Sequence, residues 1–140
     1  MKNTKLIGNI GEAKALSKFV ELEIPVLLPF GDNERYDMVI DLKGKFYRIQ
    51  VKTTEKITSG CIKFSAYQSY KSYTRYYTND EIDYFILYCI PLDKLYMMAI
   101  KDITANDILL RIEPVKNNQK KLIKYAIDYE LDIIIKNMEV

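Results

Sequence analysis

The chain has 140 residues, of which 49% are apolar and 29% charged, and its 21 Lys and Arg nearly balance 19 Asp and Glu to leave a net charge of +2. That length suits one domain spanning residues 1–140 that buries roughly two-thirds of its unfolded surface, and the composition excludes a disordered chain. The sequence contains no histidine, which removes every mechanism built on an imidazole base or ligand, serine–histidine and cysteine–histidine catalysis among them.

Cys61 and Cys89 lack the paired spacing of zinc sites or redox motifs, which fits a reducing compartment. No apolar run reaches the length of a membrane span, and "MKNTKLIGNI" lacks the apolar centre of a signal peptide, so a cytoplasmic setting is expected.

In chain order, "TKLIGNIGEAKALSKFVEL" places Leu6, Ile10, Ala13, Leu16 and Val20 at helical spacing, with Asn3 or Thr4 as N-cap, and predicts an opening helix. Gly8 and Gly11 lie inside it at about 1 kcal/mol each relative to Ala. Close approach of another backbone or a ligand would account for that cost, and a frayed first turn is the alternative. "IPVLLPF", bracketed by prolines, reads as a short buried strand, and "GDNE" as a turn.

"RYDMVIDLKGKFYRIQVK" is the clearest hairpin. With Lys43 and Gly44 at its turn, Leu42 faces Lys45, Ile40 faces Tyr47, Met38 faces Ile49 and Asp37 faces Gln50. Because side chains alternate faces, Met38, Ile40, Leu42, Tyr47, Ile49 and Val51 share one side, and Asp37, Asp41, Arg48, Gln50 and Lys52 the other. A slip of one residue would mix the two sets, which fixes the register. An acid opposite an amide, with a lysine next along, is either a solvated polar face or the start of a site. Glu12, on the opening helix, is placed to reach the same side.

"GNIGEAKA", "RYDMVI" and "YRIQVKT", in this order and at these spacings, resemble the PD-(D/E)XK nuclease superfamily, in particular the small branch that includes group I intron homing endonucleases. The resemblance implies an α/β (α+β) fold, a restriction-endonuclease-like core with a mixed β-sheet flanked by helices. It implies catalytic roles for Glu12, Asp37, Gln50 and Lys52, with Asp37, Gln50, the Val51 carbonyl and Glu12 around one or two metal ions. Gln50 stands where the pattern has an acid, and Tyr36 where it has proline. An amide oxygen still suits a hard cation but brings no charge, so weaker metal affinity is expected. Mg²⁺, with Mn²⁺ able to substitute, is the implied cofactor, because phosphodiester hydrolysis needs charge stabilisation and an acidified water. Lys52 would orient or activate that water or neutralise the phosphate.

Downstream, "GCIKFSAY" and "EIDYFILYCIP" with "KLYMMAI" read as three further strands, and Asp83 as a structural acid at a strand entrance. "LRIEPVKNNQKKLIKYA" resembles the family's closing portion. "AYQSYKSYTRYYTNDE" interleaves aromatic and basic residues, material for a nucleic-acid surface, an oligomer contact or simple cover for the sheet. Lys71 and Arg75 there, Arg48 on the hairpin, and the run 116–121 are candidate phosphate contacts. The expected activity is that of a metal-dependent endodeoxyribonuclease, a phosphodiester hydrolase acting on double-stranded DNA and located with the nucleoid. Two symmetric sites, in a homodimer or homotetramer, would be needed to cut both strands. A Holliday-junction resolvase and a non-cleaving DNA- or protein-binding module are the alternatives.

Overall fold

The computed structural model describes residues 3–113 and 123–139. Helix α1 (Thr4–Glu21) opens on Asn3, whose Oδ1 accepts a hydrogen bond from the Leu6 N–H at 2.8 Å, satisfying one of the free donors of the first turn. The face it buries differs from the predicted stripe. Gly11, Ala15 and Phe19 are buried, whereas Leu6 is 45% and Val20 62% exposed. Two small residues one turn apart let the helix approach the sheet closely, and that closeness decides the buried face over side-chain size. A Cβ on Gly11 would lie 1.9 Å from Thr53 Oγ1, while one on Gly8 would meet nothing within 4 Å. Close approach therefore accounts for Gly11 alone.

The segment "IPVLLPF" gives only a two-residue strand, β1 (Val26–Leu27), paired antiparallel with β2 (Met38–Leu42) through Val26↔Ile40 and Leu27↔Val39. The expected buried strand is corrected: Ile24 is buried, but Leu28 is 65% exposed and Phe30 fully so. Among the described residues β1 has a partner on one side only, as an edge strand, and the flanking prolines confine it,.

The hairpin of β2 with β3 (Lys45–Thr54) has the register derived from its pattern: Met38↔Ile49, Ile40↔Tyr47, Leu42↔Lys45. Lys43 and Gly44 have φ of +52° and +89°, the pair of left-handed residues a type I′ turn requires. Asp41 Oδ1 accepts from the Gly44 N–H at 2.8 Å and braces it.

After β3 the chain leaves the main sheet for β4 (Ile57–Thr58), β5 (Cys61–Ser65), β6 (Tyr67–Ser69) and β7 (Thr74–Tyr76), then returns as β8 (Tyr84–Cys89) and β9 (Lys94–Ala99). The main sheet has the order β1-β2-β3-β8-β9, with β3 and β8 parallel and the other neighbours antiparallel. A second sheet joins β4 and β5 to β10 (Asp107–Arg111), and among the described residues β6 and β7 pair only with each other. A short C-terminal helix, α2 (Leu131–Met138), follows. The strands expected in 60–67 and 81–100 are β5, β8 and β9; the run 116–121 and most of the closing portion lie outside the described residues.

Two apolar layers cover the two faces of the main sheet. Ala15, Phe19, Met38, Ile40, Ile49, Val51, Ile86, Met97, Leu131 and Ile135 form one, under α1 and α2. Ile62, Phe64, Phe85, Leu87, Met98, Ile108 and Leu110 form the other, under the second sheet. Strand β8 contributes to both layers, which is why "YFILYC" is continuously apolar. Strand β3 contributes Ile49 and Val51, with Tyr47 packed beside them, to the helical side. Its opposite face, with Arg48, Gln50 and Lys52, is half-buried and polar, and the site forms there. Among the described residues no helix is long and apolar enough to cross a membrane.

Candidate active site

The site begins where the β2–β3 ladder ends. Asp37 N–H donates to the Ile49 carbonyl at 2.7 Å, the last rung of that ladder. Strand geometry points the N–H and C=O of Val51, two residues on, toward the same side as Ile49, where β2 no longer runs. The Val51 N–H finds the Asp37 side chain instead, donating to Oδ2 at 2.8 Å, so a backbone donor that would otherwise be orphaned fixes the carboxylate. The Val51 carbonyl accepts from the Gln50 Nε2 at 3.3 Å. Turning the Gln50 amide over would place its oxygen beside the Val51 oxygen.

Burial pushes the Asp37 carboxyl up to about 6, with the Glu12 charge adding to the rise and the Val51 hydrogen bond and Lys52 opposing it. Burial likewise raises Glu12. Two half-buried carboxylates that repel each other have too little positive charge around them, the electrostatic condition that a divalent cation relieves. Among the described residues no three His, Cys, Asp or Glu side chains converge. With Gln50 in the third position, the available donor set is two carboxylates, one amide oxygen and one main-chain carbonyl. All are hard oxygen donors and fit Mg²⁺ or Mn²⁺.

Lys52 extends from the same face. Its Nζ donates to the Tyr67 carbonyl at 3.0 Å and lies 4.9 Å from the centre of the Tyr77 ring. Burial lowers its pKa, Asp37 opposes the change, and Arg35 adds to it. Arg35 stacks on the same Tyr77 ring at 3.8 Å and donates to the Tyr76 carbonyl at 2.6 Å and to Glu81 at 3.0 Å. The sequence pattern did not mark Arg35 or Tyr77, although Arg35 stands two residues before Asp37. Their signal is visible only once the 67–77 segment folds back over β3.

Arg48 has the same alternation as Gln50 and Lys52 but a different environment. Its guanidinium donates to both Asp83 oxygens at 3.0 and 3.1 Å and to the Asn79 and Asp80 carbonyls, while its backbone N–H meets Asp83 Oδ2 at 2.8 Å. Burial would lift the Asp83 carboxyl, but these bonds and the Arg48 charge hold it below its usual range. The pair clamps the entrance of β8 to β3, so the guanidinium offered to DNA by the sequence pattern is already occupied. Lys71 is exposed at the tip of the β6–β7 hairpin, and Arg75 pairs with Glu81 at 2.9 Å. Neither belongs to the cluster around Asp37. An open cleft beside α1 is lined by Lys14, Lys18 and Lys94, each ion-paired with Asp93, Asp132 or Glu130, and presents no comparable cluster of uncompensated groups.

A mixed sheet with Asp37 and Lys52 at the broken end of a hairpin ladder, and Glu12 on the helix packed against it, has the layout of a restriction-endonuclease-like core. The chain belongs to the PD-(D/E)XK endonuclease family, whose model matches residues 2–132. The solved structure of a bacterial homing endonuclease, I-Ssp6803I, is similar over 98% of this chain and 96% of that one, with a TM-score of 0.78 and 20% sequence identity. No curated protein matches in sequence.

Proposed function

We propose that the chain is a metal-dependent endonuclease of double-stranded DNA with a homing-type, site-limited specificity, its 140 residues acting as one catalytic domain. The observation that carries this reading is the convergence at the end of the β2–β3 ladder. Asp37 is fixed by the Val51 N–H, the Val51 carbonyl lies beside Gln50, and Lys52 extends from the same face. Electrostatic coupling of Glu12 to Asp37 brings the helix acid into the group.

Asp37, Glu12, the Gln50 amide oxygen and the Val51 carbonyl would hold the divalent cation. When bound, the cation supplies positive charge at the scissile phosphate and acidifies the attacking water. The bond from the Val51 N–H to Asp37 Oδ2 fixes the carboxylate in place for this role,. Lys52 brings a half-buried cation whose lowered pKa eases proton exchange with water, and its ammonium offsets charge on the pentacovalent phosphate. Lys71 and, once released from Glu81, Arg75 would hold phosphates beyond the cut. One such site cuts one strand, so a double-strand break calls for a homodimer or homotetramer with symmetric sites.

The test is cleavage of supercoiled plasmid and of a random duplex library with Mg²⁺ or Mn²⁺, comparing the native chain with Asp37→Ala and Lys52→Ala. Cutting at a limited set of sites that both substitutions abolish is expected. Cutting that survives both, or no cutting of any duplex, would sink this reading, and preferential cutting of four-way junctions would replace it with a resolvase.

A further inference from the structure

Residues 66–78, "AYQSYKSYTRYYT", contain no acid and form a two-stranded ribbon. Tyr67↔Tyr76, Gln68↔Arg75 and Ser69↔Thr74 are its partners, and the Tyr70 N–H closes the turn on the Tyr73 carbonyl at 2.8 Å. Every residue from Gln68 to Tyr76 is exposed. A lone two-stranded hairpin is marginal in water, yet this one is anchored at its base: Lys52 Nζ to the Tyr67 carbonyl at 3.0 Å, and Arg35 to the carbonyls of Tyr76 and Arg75. At the tip Tyr70 and Tyr73 stack at 4.6 Å, with Lys71 and Ser72 beyond them. The ribbon is therefore fastened at its base to Lys52 and Arg35, with Arg75 paired to Glu81, and its tip is exposed.

We propose that the ribbon reads the target, laying Gln68 and Arg75 against base edges in the major groove and carrying Lys71 and the stacked tyrosines along the adjacent backbone. The proposal rests on the endonuclease reading above for its partner, DNA. Alternation puts Gln68 and Arg75 directly opposite each other on the face away from Tyr67 and Tyr76,. Those two side-chain types make the bidentate contacts that distinguish adenine and guanine, and a two-stranded ribbon fits the major groove. The acid-free segment with two cations complements the phosphate backbone. The exposed Arg75–Glu81 pair, with Arg75 at 55% side-chain exposure, is of the weak kind that exchanges partners readily.

The base of the ribbon touches Lys52, which places its reach relative to the cut. From Tyr67 to Lys71 is four residues, about 13 Å at roughly 3.3 Å each. At about 3.4 Å per base step, the ribbon spans about four base pairs from the scissile phosphate.

The experiment presents a random duplex library to the native chain, to Gln68→Ala and to a Tyr70→Ala/Tyr73→Ala double variant. Bound sequences are recovered and sequenced, and the same library is separately cut with Mg²⁺. Gln68→Ala is expected to lose discrimination by about 10- to 100-fold, the scale of one bidentate contact, at one or two positions within about four base pairs of the cut. Preferences elsewhere should stand. Identical base preferences in the native chain and Gln68→Ala overturn the proposal, as does a native chain that enriches no sequence. A double variant that changes the sedimenting mass while base preference is intact also overturns it, and makes the ribbon a subunit contact. Sequence-selective binding that depends on Gln68 but is accompanied by no cutting supports the ribbon and defeats only the nuclease reading.

Discussion

Lys52 Nζ and the Tyr67 carbonyl, 3.0 Å apart, join β3 to the β6–β7 ribbon, and the centre of the Tyr77 ring lies 4.9 Å from the Lys52 ammonium and 3.8 Å from the Arg35 guanidinium. The two cations repel, and an aromatic ring approached by both offsets part of that cost. Tyr77 is therefore expected to position Lys52 through its ring and not its hydroxyl. Tyr77→Leu should lower kcat by about 10- to 100-fold with KM for DNA within about threefold, while Tyr77→Phe should restore kcat to within about threefold. The reasoning is the usual rate scale of about 1.4 kcal/mol per tenfold. Equal losses in both variants, or a loss confined to KM, would contradict the assignment.

The Asp37 carboxyl titrates at about 6 in the folded chain against an ordinary 3.8. A group that binds its proton more tightly when folded contributes stability that is full below about pH 4 and lost as pH rises through 6. The metal-free protein should thus lose up to about 3 kcal/mol between those limits, at about 1.4 kcal/mol per unit, with the raised Glu12 acting in the same direction. Denaturant melts of the native chain and Asp37→Asn across pH 4 to 7 test this. The variant should show a flatter profile and greater stability at pH 7, while losing cleavage. Adding Mg²⁺ at pH 7 should raise the Tm of the native chain and leave that of Asp37→Asn nearly unchanged. A native profile that rises with pH over this range would refute the assignment.

The hairpin was legible because period-two alternation over 37–52 admits one register, and that register alone brings Asp37, Gln50 and Lys52 to one face. The fate of Arg48 was not legible, because its partner Asp83 arrives from 35 residues away, just before a parallel strand. The buried stripe of α1 escaped periodicity for a related reason. Gly11 and Ala15 are buried by how closely β3 approaches, a distance that apolar spacing does not encode. Similarly, "IPVLLPF" has the composition of a core strand, but edge position leaves Leu28 and Phe30 exposed. Arg35 and Tyr77 gain meaning only from the long return of the chain between β3 and β8.

Gly11 supplies a test of how the helix acid is placed. Its missing Cβ leaves room for Thr53 Oγ1, which a methyl group there would meet at 1.9 Å. Gly11→Ala should push α1 off β3, destabilise the fold by about 1–3 kcal/mol through overpacking, and carry Glu12 out of place with a loss of cleavage. The helix-propensity gain of about 1 kcal/mol is too small to offset the clash. Thr53→Ala removes the obstructing hydroxyl, one that is buried with no hydrogen-bond partner among the described residues. Combined with Gly11→Ala it should recover part of both losses, the Thr53 Cβ still lying 3.1 Å away. Strict additivity of the two substitutions in a double-mutant cycle would show that this contact does not set the helix position.

Gln50 is the point at which this chain departs from the three-acid pattern, and the amide that replaces the acid donates to the Val51 carbonyl at 3.3 Å. Coordination needs the amide reversed and brings no charge, so the native site should demand a higher Mg²⁺ concentration than a site with a carboxylate there. Gln50→Glu should lower the Mg²⁺ concentration for half-maximal cutting by about 10-fold, the scale of about 1.4 kcal/mol. Without metal, the new carboxylate stands near Asp37 and Glu12, and stability at pH 7 should fall. Gln50→Ala should raise the Mg²⁺ requirement by a similar factor and, because it removes no charge and loses the bond to the Val51 carbonyl, should not stabilise the metal-free fold,. Mg²⁺ titrations of cleavage, paired with metal-free melts, read both effects. If the three chains share one Mg²⁺ midpoint, the amide is no ligand, and Asp37, Glu12 and the Val51 carbonyl hold the metal without it.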